Sequence, residues 1–207
     1  MNLTTIETYE PSQIDPVLFG KELILKSATH LFVANGFNGV SMREIAEASQ
    51  MTKAALYYHF KDKEDLISEI FFRFLAEMEL EIRKILEKEL PTRQKIRNFI
   101  TKIMYQSPEN LGVIHLVFIE SAHLDLKFRQ EIGQKYHELF LGSIEGILEE
   151  GVKKNEIGPI NTKQASQLLF GMLYAFFHPH QPLIAGEVQA TTDLITQVFF
   201  EGVKKPS

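Results

Sequence analysis

The chain has 207 residues, a length that fits one domain or two small ones. Its residues are 44% hydrophobic and 24% charged, which is ordinary globular composition and excludes wholesale disorder. It contains no cysteine, which excludes a disulfide framework, thiolate catalysis and cysteine-based metal clusters. The net charge of −5 argues, taken over the whole chain, against a general affinity for polyanions.

The charge is distributed unevenly along the chain. Between Val17 and Lys61 there are five basic and three acidic side chains, so this segment carries about +2 and the remainder about −7. Such asymmetry predicts that the segment has a role different from the rest. The longest apolar run, residues 168–177, has ten residues, whereas a bilayer span needs about 20. A secretion signal begins with basic residues followed by an apolar run, and Met1–Thr5 does not have this pattern. We therefore expect a cytoplasmic protein.

Spacings of three and four between apolar residues recur throughout, and no strand pattern is present. After a flexible N-terminal arm, Asp15-Pro16 predicts a helix start that ends at Asn35-Gly36. Ser41 and Glu44 form a capping box that opens a short helix ending near Ala48. After a turn, Thr52 caps a second short helix.

A long helix follows, capped by Asp62 and stopped at Leu90-Pro91, and its 27 residues predict a rod of about 40 Å. Pattern and capping residues predict five further helices, at roughly 93–105, 110–122, 126–154, 161–177 and 187–203. The sequence therefore predicts an all-α fold with about nine helices.

The first three helices have the proportions of a helix-turn-helix, in which a short second helix enters the major groove of DNA. Leu56 and Phe60 supply an inner apolar face, while Ala54 and Ala55 are small enough for a close approach to bases. Pattern alone leaves open a plain helical hairpin whose tyrosines belong to the core.

Two stretches resemble a known family. Phe37–Ala46 and Thr52–Leu66, the latter with its Tyr-Tyr-His-Phe-Lys-Asp-Lys-Glu-Asp-Leu run, are similar to the N-terminal domain of TetR (tetracycline-repressor-like) transcriptional regulators. The resemblance implies an N-terminal arm at 1–16, a helix-turn-helix DNA-binding domain at 17–62, and a ligand-binding and dimerisation domain at 63–207.

The resemblance also implies which residues contact DNA. The turn departs from the family, which usually has glycine where this chain has Gln50, and a positive φ at glutamine costs roughly 1 kcal/mol. The DNA-binding residues implied are Ser41, Arg43, Thr52, Lys53, Ala54, Ala55, Tyr57, Tyr58, His59 and Lys63.

Like its relatives, the chain is expected to bind a palindromic operator as a homodimer, because paired reading helices must match half-sites about 34–36 Å apart. The last two helices are the predicted interface, although an intramolecular core is the alternative for so apolar a segment. The predicted interface residues are Leu168, Leu169, Met172, Leu173, Phe176, Leu194, Ile195, Val198 and Phe199.

The middle helices are expected to form the pocket of a small, mostly hydrophobic effector. The chain has sixteen phenylalanines and no tryptophan, and Glu120 is a candidate partner for a cationic ligand. The predicted lining is Phe71, Phe74, Tyr105, Phe118, Glu120, Tyr136, Phe140, Tyr174 and Phe177. The resemblance thus implies a ligand-responsive regulator, most often a repressor released by its ligand. An activator or a ligand-independent regulator of the same fold is the alternative.

Two other classes of function compete with this one. The sequence lacks HExxH, a glycine-rich phosphate loop and a nucleophile elbow, so we expect neither an enzyme nor a bound cofactor. His178 and His180, with His115, His123 or His137, offer metal ligands on paper, but histidines beside proline in a loop favour no metal. A protein-interaction module would bind its partner with little dependence on salt, unlike a DNA-binding protein.

Overall fold

A computed structural model describes residues 16–120, 125–176 and 183–202, and in these ranges every regular element is helical. It confirms the predicted all-α fold. No helix within these ranges is long and apolar enough to cross a membrane. The elements are α1 (Pro16–Asn35), α2 (Met42–Ala48), α3 (Lys53–His59), α4 (Lys63–Leu86), α5 (Thr92–Met104), α6 (Pro108–Glu120), α7 (Leu126–Tyr136), a π-helical segment (His137–Gly142), α8 (Ser143–Lys153), α9 (Thr162–Tyr174) and α10 (Ala185–Gly202).

The described ranges contain the predicted nine helices if helical segments that follow one another without a break are counted as one helix. In the described ranges, α7, the π-helical segment and α8 follow one another without a break, so the helix predicted at 126–154 is a single rod with a π-helical middle. α4 is shorter than its predicted 27 residues, because it ends at Leu86, before the predicted stop at Leu90-Pro91. The helix ends there in tighter turns, with hydrogen bonds from Lys88 N to Ile85 O and from Leu90 N to Lys88 O. The rod is therefore 24 residues and about 36 Å long.

The first three helices share a continuous apolar core. Ile24 and Phe32 of α1, Ile45 of α2 and Leu56 of α3 are all buried. Gly20 of α1 faces the turn and α3, since a Cβ there would lie 3.3 Å from Met51 Cε. The three helices therefore pack as one unit around these side chains.

The turn between α2 and α3 is a Schellman motif. Met51 N donates to Ala46 O at 2.9 Å and Gln50 N donates to Glu47 O at 3.1 Å. The motif requires a left-handed residue, and Gln50 adopts it with φ of 56°. The sequence left open whether the turn would change or Gln50 would be strained, and the structure shows that Gln50 carries the strain.

α4 is held by α1 near its start and by α5 at its end. Lys21 Nζ lies 2.7 Å from Glu69 Oε1, and Arg73 pairs with Glu22. At the other end, the buried Lys95 donates to Leu86 O at 3.3 Å. α4 is thus fixed at two places about 20 Å apart.

Lys95 also joins α5 to α8, deep in the larger group of helices. Its ammonium lies 2.9 Å from Glu150 Oε2, and its side chain is only 5% exposed. Lys154 and Lys95 both donate to this carboxylate and lower its pKa to about 2. The charged lysine is therefore paired within the protein, as a buried cation requires.

A direct contact also joins α1 to α6. A Cβ on Gly112 would lie 2.4 Å from Val33 Cγ1, a distance that real side chains do not reach. Only glycine lets these two helices lie so close without displacement. The N-terminal helices are thus connected to the rest through α6 as well as α4.

We predict that Gln50→Gly stabilises the protein, because glycine adopts the left-handed conformation without a Cβ penalty. The free energy of unfolding should rise by about 0.5–1 kcal/mol, measured by urea denaturation. Asn155 is the matched control: it occupies the same position after α8 with φ of 57°. Because asparagine tolerates this region better than glutamine, Asn155→Gly should gain less. Equal gains, or a loss at Gln50, would contradict the strain assigned to the turn.

Candidate nucleic-acid interface

α3 presents one polar face to solvent and one apolar face to the core. Thr52 Oγ1 accepts from Ala55 N at 3.1 Å and so caps the helix. Leu56 is fully buried, whereas Tyr57 and Tyr58 are 53% and 74% exposed. Lys53 and Ala54 are also exposed. The alternative in which both tyrosines belong to a core does not fit this arrangement.

α2 lies beside α3 and contributes an ion pair and a capping box. Ser41 N donates to Glu44 Oε2 at 2.7 Å, and Glu44 N donates to Ser41 Oγ at 3.3 Å, as predicted. Hydrogen bonds from Ser41 lower the pKa of Glu44. Arg43 Nε lies 3.1 Å from Glu47 Oε1, and both side chains are largely exposed. An exposed pair of this kind is worth little, so Arg43 can exchange Glu47 for a phosphate at small cost.

Two of the predicted DNA-binding residues have partners inside the chain. Lys63 Nζ donates to Phe37 O at 2.8 Å and lies 4.6 Å from the centre of the Phe37 ring. His59 is half-buried, and its ring lies 6.4 Å from the buried Phe60 ring, centre to centre. Lys63 therefore holds the loop between α1 and α2 against α4, a role that its sequence position did not indicate.

Three of the predicted effector-pocket residues lie in the core of the described part of the chain. Phe71, Phe74 and Phe140 are buried in the core. Tyr136 packs its ring 5.1 Å from Phe140, centre to centre, and burial raises the pKa of its hydroxyl.

Two of the other predicted pocket residues are partly exposed, and Tyr174 is near enough to Tyr136 to contribute to the raised pKa of the latter. Tyr105 is half exposed, and its hydroxyl donates to Ala185 O at 3.1 Å. Tyr174 is at the edge of α9 and 37% exposed. The side chains of Phe118, Glu120 and Phe177 lie outside the described residues.

An open cavity that the sequence did not predict lies between α4 and the rod formed by α7, the π-helical segment and α8. Its volume is about 340 Å³, and we call it the α4 groove. The groove is lined by Phe72, Leu75, Ala76, Glu79, Ile82, Arg83, Leu86, Lys135, Glu138, Leu139 and Ser143. Its long wall is a face of α4 that lies next to the helix face on which Phe71 and Phe74 are located.

The predicted interface residues divide into two groups. Leu169, Leu173, Ile195 and Phe199 are buried within the single chain, so they belong to its own core. Leu168, Leu194 and Val198 are 69%, 58% and 54% exposed, and Met172 and Phe176 are partly buried. Only the exposed and partly buried members are available to a second copy.

The described residues contain no cluster of three or more histidine, aspartate or glutamate side chains that could hold a metal ion. His123, His178 and His180 lie outside the described residues.

Residues 24–70 match the family model of bacterial regulatory proteins of the tetR family. The chain is 27% identical over 168 residues to the uncharacterised HTH-type transcriptional regulator YhgD of Bacillus subtilis, covering 79% of this chain and 87% of that protein.

Two solved structures share the fold. The TetR family transcriptional regulator PfmR of Thermus thermophilus is 26% identical with a TM-score of 0.73, over 84% of this chain and 97% of that one. The transcriptional regulator FadR of Bacillus subtilis, solved with stearoyl-CoA, is 19% identical with a TM-score of 0.75, over 88% and 98%. These relatives are named as regulators and not as enzymes. Residues 24–70 therefore carry the helix-turn-helix segment of the TetR family of bacterial transcriptional regulators, within an all-helical fold that the chain shares with solved members of that family.

Proposed function

We propose that this protein is a transcriptional repressor that binds a palindromic operator as a homodimer and is released by a small, mostly hydrophobic ligand. The observation that carries the proposal is the outward face of α3, on which Lys53, Tyr57 and Tyr58 are exposed while Leu56 is buried. A helix fixed in this way can insert into a major groove about 12 Å wide.

Each exposed group on α2 and α3 has a chemical role in this proposal. Lys53 and the two tyrosine hydroxyls bind phosphate oxygens and set the position of the helix on the duplex. Ala54 and Ala55 approach base edges, where their methyl groups fit a thymine methyl. Arg43 binds a phosphate or a guanine, and Ser41 and Thr52 hold the starts of their helices. Residues 17–62 thus form the DNA-binding domain and residues 63–207 the effector and dimerisation domain.

The dimer in this proposal forms through α9 and α10. Leu168 on α9, with Leu194 and Val198 on α10, exposes apolar surface that a second copy would cover. A twofold axis through this face presents two copies of α3 to the two half-sites of an operator. The proposed interface therefore consists of the exposed residues of the predicted set together with the partly buried Met172 and Phe176.

A relative solved with a ligand suggests the class of effector, and the contacts of α4 suggest how the effector acts on DNA binding. FadR of Bacillus subtilis was solved with stearoyl-CoA, so acyl-CoA thioesters are the first class of ligand to test. A ligand releases DNA only if it prefers a conformation that mismatches the operator. α4 is suited to transmit that preference, because it begins four residues after α3 and is ion-paired to α1.

A regulator with this role works without a catalytic residue or a cofactor. It must share a compartment with the chromosome, and we therefore place it in the cytoplasm.

We predict that Lys53→Gln and Tyr57→Ala each weaken DNA binding at least tenfold at fixed salt, because each removes a phosphate contact. Affinity is measured by fluorescence anisotropy on DNA selected by the wild-type protein from a random library. Lys53→Gln should also reduce the slope of log affinity against log salt by about one. Lys88→Gln, an exposed lysine beyond the far end of α4, is the control and should leave affinity unchanged. Binding that depends little on salt would contradict the proposal and favour a protein-interaction module.

We predict that Leu168→Glu combined with Leu194→Glu yields a monomer in sedimentation equilibrium, because two carboxylates in each copy would have to be desolvated at the interface. Leu80→Glu is the matched control, since Leu80 is 62% exposed on α4 and lies outside the proposed interface. It should remain dimeric. A double variant that stays dimeric would place the interface elsewhere.

We predict that stearoyl-CoA lowers operator affinity at least tenfold and that transcription from a promoter carrying the operator then rises in a purified system. Free CoA is the control for the head group. Lower transcription on addition of the ligand would indicate an activator, and unchanged affinity with a panel of acyl-CoA chain lengths would remove acyl-CoA as the effector class.

A further inference from the structure

We propose that Lys63 is a positioning residue for DNA binding: it holds the loop between α1 and α2 against the first turn of α4 and so fixes the place of α2, and of Arg43 on it, relative to α3. The role in DNA binding rests on the proposed function. The contact itself is a property of the free chain and can be measured without DNA. Lys63 thus acts through other residues of the protein and not on a phosphate.

Lys63 is the first residue of α4, a place that does not favour a cation. The free amides of a first helical turn carry partial positive charge, so acidic side chains stabilise this end of a helix and basic ones do not. The next two residues, Glu64 and Asp65, follow this rule. α4 by itself therefore does not account for a lysine here, and the contacts of Lys63 are with another part of the chain.

The ammonium group of Lys63 contacts one residue in two ways. Its Nζ donates to Phe37 O at 2.8 Å and lies 4.6 Å from the centre of the Phe37 ring. A hydrogen bond from a charged donor is stronger than one between neutral groups, and an ammonium over an aromatic ring adds a further attraction. The Lys63 side chain is partly buried, which limits the competition from water.

Phe37 is fixed from its other side by the core of the first three helices. Its side chain is only 5% exposed, and its ring lies 5.6 Å from the Phe32 ring of α1, centre to centre. Just before it, Gly36 has a left-handed φ of 74°, and its amide donates to Phe32 O at 2.9 Å. The carbonyl that Lys63 binds therefore belongs to a turn that is anchored to α1, and Lys63 connects this turn to α4.

The loop that Lys63 holds leads directly into α2. Ser41 begins that helix through its capping box with Glu44. Hydrogen bonds from Ser41 lower the pKa of Glu44, and the nearby charge of Lys63 adds to this effect. Lys63 thus supports the start of α2 through Phe37 and through Glu44. Because Arg43 lies in this first turn, its place on the surface depends on the same contacts.

The same contacts make Lys63 a poor phosphate ligand. A lysine that donates to a carbonyl and faces an aromatic ring loses both contacts when it turns toward a phosphate, so the exchange gains little. Lys53 on α3 is exposed instead. A lysine that neutralises a phosphate releases a counterion and so makes DNA affinity depend more steeply on salt. The two lysines are therefore expected to differ in this dependence.

The first test compares Lys63→Gln with Lys53→Gln by fluorescence anisotropy on the selected DNA over a range of salt concentrations. Lys63→Gln should weaken binding about tenfold and leave the slope of log affinity against log salt unchanged, whereas Lys53→Gln lowers the slope by about one. Lys63→Arg should keep affinity within about threefold of wild type, because a guanidinium donates to a carbonyl and stacks on an aromatic ring. A slope that also falls by about one in Lys63→Gln would identify a phosphate contact and overturn the proposal.

The second test is hydrogen–deuterium exchange of the free, full-length protein, read by mass spectrometry. Lys63→Gln should raise exchange in peptides that cover residues 36–45 and leave exchange in α5 and α8 unchanged. Phe37→Leu removes the ring but keeps an apolar side chain, and should raise exchange in the same peptides. The double variant should show less than the sum of the two effects, because both act on one contact. Lys26→Gln, at an exposed lysine of α1, is the matched control and should exchange like wild type.

The two tests separate failure of this proposal from failure of the proposed function. Unchanged exchange at residues 36–45 in Lys63→Gln would overturn the positioning role, and so would a uniform rise that includes α5 and α8, which indicates a loss of overall stability. Raised local exchange with unchanged DNA affinity would keep the contact and overturn its role in DNA binding. Wild-type protein that binds no DNA would instead overturn the proposed function, and the exchange data would still decide whether Lys63 holds the loop.

Discussion

Burial of Leu56 and Phe60 is the packing constraint on which the DNA-reading surface depends. Both side chains are almost fully buried, so α3 cannot rotate about its axis without exposing them. Truncating either to alanine would cost about 2–5 kcal/mol, which is a large part of the stability of a typical domain. Because the inner face is fixed, Lys53, Tyr57 and Tyr58 are held on the opposite side of the helix. The capped start of α3 and the Schellman turn before it then fix the angle at which this face is presented.

The α1–α4 contact combines buried apolar residues of both helices with ion pairs at its rim. The pairs of Lys21 with Glu69 and of Arg73 with Glu22 are partly exposed, and such pairs contribute about 1 kcal/mol or less. Gly112 adds a close approach between α6 and the Val33 side chain of α1. The first three helices are thus joined to the rest by a continuous core, to which the partly exposed ion pairs add little.

The acidic charge of the whole chain is compatible with DNA binding because electrostatic interactions in salt are short-ranged. At physiological ionic strength, charges more than about 8 Å apart are largely screened. A phosphate at the α3 face would therefore interact mainly with the excess of basic side chains between Val17 and Lys61. The negative remainder repels the duplex from other faces and so favours one orientation on DNA.

The sequence determined those features that depend on near neighbours along the chain. The helix starts at Ser41, Thr52 and Asp62 were predictable because a capping side chain bonds to an amide only two or three residues away. The apolar spacing likewise specified the fold class and the inner face of α3. Only the tertiary structure decided which apolar residues of α9 and α10 are core and which are surface: Leu169 is buried and its neighbour Leu168 is exposed. It also turned Lys63 toward Phe37 and opened the α4 groove beside residues other than the predicted aromatic ones. These outcomes depend on how distant helices meet, because burial is set by neighbours in space that the local pattern does not specify.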